Sequence, residues 1–194
     1  MIDKGRLHGE NTEALGFELG LSMHRMWPEP NCQAVILGAG NVAAAVTLAL
    51  SRVPAVKITI CARREAAALG LVDRLAQLGP VRALPWSPAN LKRALATAHI
   101  VVNCTSADLG DLPLSVHDLS IRCTVADMRV TAQPSKLVAG ALAAHRRACD
   151  GFETHLYQQM LGFARAAHVE PAWEASRLAL RSAVDNAPES EIFH

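Results

Sequence analysis

Apolar and polar positions along this chain alternate between two periods. Short, continuous apolar runs stand at Ala34–Leu37, Val56–Cys61, Ile100–Cys104 and Cys123–Met128, with a weaker one at Val81–Leu84. They are too short for helices and rich in β-branched residues, so they predict buried strands. Between them lie longer stretches with helical spacing. Asn41–Arg52 is one; Glu65–Leu78, stopped by Gly79-Pro80, is the next. Ser87 caps a third that runs through Ala96 with Pro88 at its first position, and Ser135–Arg147 is a fourth. Strand then helix, repeated, predicts an α/β fold built on a parallel sheet covered on both faces. Further helices flank this pattern. Asn11 or Thr12 caps one that reaches about Met26, and Trp27-Pro28-Glu29-Pro30 ends it. Its apolar residues occupy more than one side: Leu15, Leu19 and Met26 near one stripe, Phe17, Leu21 and His24 near another. Phe152–His168 and Pro171–Val184 predict two more, while residues 1–10 and Asp185–His194 read as loose ends.

One stretch gives the alternation a purpose. Gln33–Leu37 runs into Gly38-Ala39-Gly40-Asn41-Val42-Ala43, and an alanine-rich helix leaves it. Strand, Gly-x-Gly-x-x-Ala turn and helix form the dinucleotide-binding pattern. Gly38 allows the sharp turn, Gly40 lets the backbone approach a pyrophosphate, and Ala43 lets the helix pack closely on the strand. The unpaired N–H groups of the first helical turn, at Asn41 and Val42, then face the phosphates. An ordinary strand–helix turn with small packing residues is the plainer alternative. The expected architecture is therefore a Rossmann-type doubly wound parallel sheet with additional N- and C-terminal helices. Residues 1–30 form the N-terminal helix and connection, 31–150 the dinucleotide-binding core, and 151–194 the C-terminal helices with a short tail.

Composition narrows the rest. With 194 residues, 51% of them hydrophobic, the chain suits one domain with short additions. A net charge of +1 offers no argument for nucleic acid, and no apolar run is long enough to span a membrane. No signal-peptide core stands at the N-terminus. The cysteines, Cys32, Cys61, Cys104, Cys123 and Cys149, are odd in number and widely spaced. They read as buried thiols in a reducing, cytoplasmic setting rather than a disulfide frame or metal site.

Ligands of such sheets bind beyond the carboxyl ends of the strands, so those ends carry the chemistry. The second strand runs into Ala62-Arg63-Arg64-Glu65. No carboxylate stands directly at its end, and two guanidinium groups follow. A planar guanidinium suits a 2′-phosphate, which favours NADP over NAD; solvated arginines at a helix start, or Glu65 reaching a ribose, are the alternatives. Asn103 and Thr105 follow the next long strand, placed either to line the nicotinamide-ribose side or to cap a loop. Asp127 ends the last strand as a cleft residue or a helix-side hydrogen-bond partner. Gly151 precedes a helix, where it would let backbone approach a ligand. His155 and Gln158 share one face of that helix, and Tyr157 points elsewhere. A solvated histidine is the common alternative for His155. His99 opens a strand and reads as structural.

Several segments together resemble the cofactor-binding half of the shikimate and quinate/shikimate dehydrogenases. Gly9-Glu10-Asn11-Thr12-Glu13-Ala14-Leu15-Gly16-Phe17 is similar to that family's Gly-x-Asn-Thr-Asp-x-x-Gly-Phe, and Gly38–Ala43 to its glycine turn. Ala62-Arg63-Arg64 stands where the family has Asn-Arg-Thr. Val101–Thr105 resembles Val-Val-Asn-Ala-Thr, and Asp150-Gly151 with Gln158 resembles its Asp-Gly-x-x-Met-x-x-x-Gln.

The resemblance implies an NADP-dependent oxidoreductase acting on a shikimate-like alicyclic or a small hydroxy or keto acid. It places Glu13 at the catalytic aspartate, with His155 as second proton-transfer candidate and Gln158 orienting the substrate beside Asn11, Thr12 and Asp127. The departures are as informative. The chain begins just before the Asn-Thr motif, so the family's substrate domain and its lysine are expected to be missing, with Lys4 no replacement. Val130 replaces a tyrosine, Thr154 a methionine, and Ser135-Lys136 a Thr-Pro. Leu15, Phe17, Leu21 and Phe163 would then lack cover, which predicts a homodimer or a partner chain over the terminal helices. A non-catalytic nucleotide-binding module, one subunit of a split enzyme, and a divergent lyase in the same cleft are the competing readings.

Overall fold

The apolar runs form strands because, as a parallel sheet, they bury both faces at once. In the computed structural model, which describes residues 2–3, 6–7, 9, 11–108 and 115–187, all five runs enter one six-stranded sheet, and the central ones are buried on both faces. Ile2–Asp3 (β1) first pairs antiparallel with Arg6–Leu7 (β2) where a loose leader was expected. Helix α1 (Thr12–Met23) follows, then β3 (Gln33–Leu37), α2 (Asn41–Leu50), β4 (Lys57–Ala62) and α3 (Glu65–Arg74). Next come β5 (Val81–Pro85), α4 (Pro88–Ala96), β6 (Ile100–Asn103), β7 (Thr124–Asp127) and α5 (Lys136–Ala143). β8 (Arg147–Cys149), α6 (Phe152–Ala167) and α7 (Trp173–Asn186) complete the order. The sheet order is β5-β4-β3-β6-β7-β8, parallel throughout, so the winding reverses between β3 and β6.

Alternate residues of each strand serve opposite faces. Ala34 and Ile36, with Ile58, Ile60, Ile100 and Val102, pack beneath α1, α2 and α3. Val35 and Leu37, with Cys61, Val101 and Val125, meet Leu91 and Leu95 of α4 and Leu137 and Ala141 of α5. Ile36, Ile58, Ile60 and Ile100 are at most 1% exposed, and each such side chain stabilises the fold by about 1.5–3 kcal/mol. Three helices carry side-chain caps, from Asn11 to Ala14 N–H, Ser87 to Asn90 N–H and Ser135 to Val138 N–H.

The two apolar sides of α1 have a direct cause: it lies between α2 and α6. Gly16 and Gly20 make the second contact possible. A Cβ on Gly16 would lie 2.7 Å from the Thr154 carbonyl oxygen, and one on Gly20 3.0 Å from the Thr154 amide nitrogen. Phe17 and Leu21 are consequently buried, with Phe17 edge-on to Trp27. That corrects the expectation of a bare face containing them. Leu15 is only partly covered, and Phe163 stays 52% exposed.

Other boundaries move for local reasons. α1 stops at Met23 because Arg25 takes a left-handed φ of 54° and Met26 turns back into the core. The segment Ala76–Leu78 is a tightened turn rather than more of α3. α5 ends early at Ala143; His145, at φ 58°, reverses the chain into the unforeseen β8. That strand has three residues and a half-exposed face, so it left no apolar run to read.

Candidate active site

Gly38 follows β3 at φ 111°, in the left-handed region that favours glycine. Its N–H donates to the Cys61 carbonyl, and a Cβ would lie 2.9 Å from the Cys104 carbonyl oxygen. The turn is thus wedged between the ends of β4 and β6, at the switch point where doubly wound sheets bind ligands. Gly40 is different: nothing lies within 4 Å of where its Cβ would stand. It is the N-cap of α2, which has no side-chain cap, unlike α1, α4 and α5. The first N–H groups of α2, at Asn41 and Val42, therefore open onto space, and Ala43, fully buried, seats the helix on the sheet. This arrangement fits a pyrophosphate.

Arg63 and Arg64 stand just past β4, both exposed. Neither guanidinium forms a hydrogen bond or ion pair among the described residues, so their charge is available to a phosphate. Asn103 is fully buried and spends its amide internally. It donates to Asp127 Oδ1 and the Ala107 carbonyl, and accepts from the Thr105 N–H and hydroxyl at 3.1 and 2.7 Å. Asp127, 1% exposed, is held in turn by the Arg129 guanidinium on both carboxylate oxygens. Asn103 and Asp127 are thus fixed as the frame of the strand-end loop that carries Thr105.

Beside this crevice runs a cleft between α1 and α6. One part, of about 450 Å³, is lined by Gly9, Asn11, Thr12, Glu13, Asn41 and Gln158. An adjoining part of about 210 Å³ shares Glu13 and Gln158 and adds His155, Gly151, Thr154 and Val130. Residues far apart in sequence thus meet on one cleft: Glu13 from α1, His155 and Gln158 from α6, Asn41 and Val42 from α2. Burial pushes the Glu13 carboxyl up from its ordinary value of 4.5, and pulls the His155 imidazole down from 6.5. Both shifts favour neutral groups facing one cavity, a condition suited to proton exchange.

Gly151 lines the cleft but is required for another reason than the sequence implied. A Cβ there would sit 2.3 Å from the Met128 carbonyl, so the close approach is to the chain's own backbone. Its N–H donates to the Arg129 carbonyl at 2.9 Å. Tyr157 turns away to pack on Trp173, and His99 Nδ1 accepts from the Gln33 N–H, a structural bond as expected. The Gly16–Gly20 seam and the Arg129 network escaped sequence reading. The spacing of two glycines in a helix was the available signal for the first. No group of acidic, histidine or cysteine residues could hold a metal, and no helix is long and apolar enough to cross a membrane, among the described residues.

Comparison with known proteins agrees with this geometry. Residues 24–111 match the family model for shikimate / quinate 5-dehydrogenase. Shikimate dehydrogenase (NADP(+)) of Rhodospirillum rubrum is 32% identical over 190 residues, covering 95% of this chain and 65% of that protein. The chain spans about three fifths of the length of the curated relatives it matches. The fold superposes on Listeria monocytogenes shikimate 5-dehydrogenase, solved with shikimate and NAD, with a TM-score of 0.82 at 20% identity, over 92% of this chain and 65% of that one. A 5-ketofructose reductase of Gluconobacter aligns with a TM-score of 0.79 at 25% identity, over 93% and 66%. By sequence and by fold, this chain is related to the shikimate/quinate 5-dehydrogenase family.

Proposed function

We propose that this chain binds NADP(H) in the crevice at the β3–β6 switch point and takes part in oxidoreduction of a hydroxyl or ketone in the adjoining cleft. The observation that carries this is the meeting of Glu13, His155 and Gln158 on a cleft that also reaches Asn41, in the open first turn of α2. The uncapped helix start, the open face of Gly40 and the unpaired Arg63 and Arg64 fit the diphosphate and the 2′-phosphate. When bound, the cofactor supplies the hydride acceptor or donor. Glu13 takes the hydroxyl proton during oxidation and returns it during reduction; its raised pKa suits both directions. Gln158 orients the hydroxyl, and Asn11 and Thr12 line the same wall. His155, kept neutral by desolvation, is a second proton acceptor.

The substrate is a shikimate-like alicyclic or another small hydroxy or keto acid. That a structural relative is a 5-ketofructose reductase supports a site adaptable to other ketones. A second reading follows from the lining itself. Among the described residues no lysine or arginine lines either part of the cleft. Part of the site would then come from other chain, as in a split enzyme, or the chain would serve as a nucleotide-binding module. A homodimer or partner covering Phe163 and Leu178, 52% and 67% exposed, is compatible with either.

The test is titration with NADPH and NADH by nicotinamide fluorescence, followed by absorbance assays with shikimate, quinate and their aminated analogues. Tighter NADPH binding with turnover supports the oxidoreductase. Binding without turnover selects the module or split enzyme, and binding of neither nucleotide rejects both.

A further inference from the structure

Arg129 ties together the loops that follow β6 and β7. Its guanidinium, 11% exposed, reaches both oxygens of Asp127 and also Asp108 Oδ1 at 3.3 Å. Asp127 holds Asn103, and Asn103 holds Thr105 and the Ala107 carbonyl. Asp108 follows Ala107, so a ring closes: Asn103, Asp127, Arg129, Asp108 and back along the chain. The loop inside that ring, Cys104–Thr105, is what Gly38 packs against. Asp108 further accepts from the Lys136 N–H at the start of α5. On the other side the Arg129 carbonyl accepts from Gly151 N–H, where α6 and its His155 and Gln158 begin.

We propose that Arg129 is a positioning residue that fixes the β6 wall of the nucleotide crevice before any ligand arrives. The idea rests on the cofactor reading above. Two carboxylates, one of them Asp127 at 1% exposure, would repel each other across this loop without the cation between them. With it, the Thr105 N–H and hydroxyl are directed inward to Asn103, and the loop keeps one shape. A wall held this way adds affinity by removing the ordering that binding would otherwise require. The effect is indifferent to the 2′-phosphate, because the ring stands at β6 and β7 whereas Arg63 and Arg64 stand past β4.

The experiment compares wild type with Arg129→Met and Arg129→Lys, each confirmed folded by circular dichroism. Nicotinamide fluorescence reads NADPH and NADH affinity, and amide hydrogen exchange reads Thr105 without ligand. Arg129→Met is expected to weaken both nucleotides by the same factor, about tenfold, and to speed Thr105 exchange while β3 amides stay protected. Arg129→Lys restores the charge without the two-oxygen grip and is expected to recover part of each effect. Unchanged affinity and unchanged Thr105 exchange in the folded Arg129→Met protein would overturn the proposal, even if its melting temperature fell. If wild type binds neither nucleotide, the cofactor reading fails alone, and Thr105 exchange still decides whether Arg129 holds the wall. Should Arg129→Met not fold, Asp108→Asn removes one arm of the ring and is judged by the same two readouts.

Discussion

Gly16 of α1 and Thr154 of α6 are in backbone contact, close enough that a single added methyl would meet the Thr154 carbonyl at 2.7 Å and the Gln158 nitrogen at 2.8 Å. Glu13 lies one turn before Gly16, and Gln158 one turn after Thr154. The seam between these helices therefore sets the width of the cleft the two side chains share. Gly16→Ala is expected to destabilise the protein by about 1–3 kcal/mol through overpacking, outweighing the better helix propensity of alanine. Gly162, also inside a helix, has nothing within 4 Å of its would-be Cβ. Gly162→Ala should accordingly stabilise by about 0.5–1 kcal/mol. Urea unfolding of the two variants checks both signs at once.

Arg63→Ala should weaken NADPH binding at least tenfold, about 1.4 kcal/mol, and leave NADH nearly unchanged. Fluorescence titration separates this selective loss from the even loss expected on breaking the Arg129 ring. Equal weakening of both nucleotides by Arg63→Ala would remove the 2′-phosphate from its assignment.

Stability should respond to Glu13 with a definite sign. Burial raises its folded pKa, so the fold favours the protonated carboxyl, and stability is lost as pH rises from 4.5 through the folded value. Asp150, also raised first by burial, adds a slope of the same sign from 3.8 upward. Glu13→Gln should match wild type near pH 4 and melt at a higher temperature near pH 7. It should also abolish turnover in any substrate assay that wild type supports.

His155 acts in the opposite sense. Its pKa is lowered by burial, so the neutral form is favoured, and stability is lost as pH falls below 6.5 toward the folded value. His155→Gln keeps a polar side chain at the cleft and should flatten that part of the melting profile. Thermal melts between pH 5 and 7.5 read the difference.

The thiols should be inert in the native state. Burial pushes Cys61 up to about 11, and Cys123 and Cys149 up to about 12. Ellman's reagent at pH 8 should react slowly with the folded protein and with all five cysteines once denaturant is added.

What the sequence disclosed depended on how local the physics was. The β3–turn–α2 unit was legible because Gly38, Gly40 and Ala43 each answer a constraint set within a few residues. Asn11 and Ser87 announced their helices for the same reason. His155 and Gln158 could be placed on one face from their spacing, and β4 ran into Arg63 as read. The burial of Phe17 and Leu21 was not legible, since it depends on α6 arriving from the far end of the chain. For Asn103 and Asp127 the sequence left a cleft role and a structural one both open, because what decides between them, their mutual bond and the Arg129 guanidinium that ties Asp127 to Asp108, joins separate loops. β8 escaped because three half-exposed residues carry no period.

The sheet's two borders bear on how this molecule can associate. On one side the outermost strand is Arg147–Cys149, only three residues long, with the Arg147 guanidinium turned to the Arg25 carbonyl. On the other it is Val81–Pro85, closed by an imino acid and carrying Arg82. Brevity, cationic side chains and a missing N–H all discourage a neighbouring chain from extending the ladder. Self-recognition through the described surface is thereby steered away from strand addition and toward the outer sides of α6 and α7.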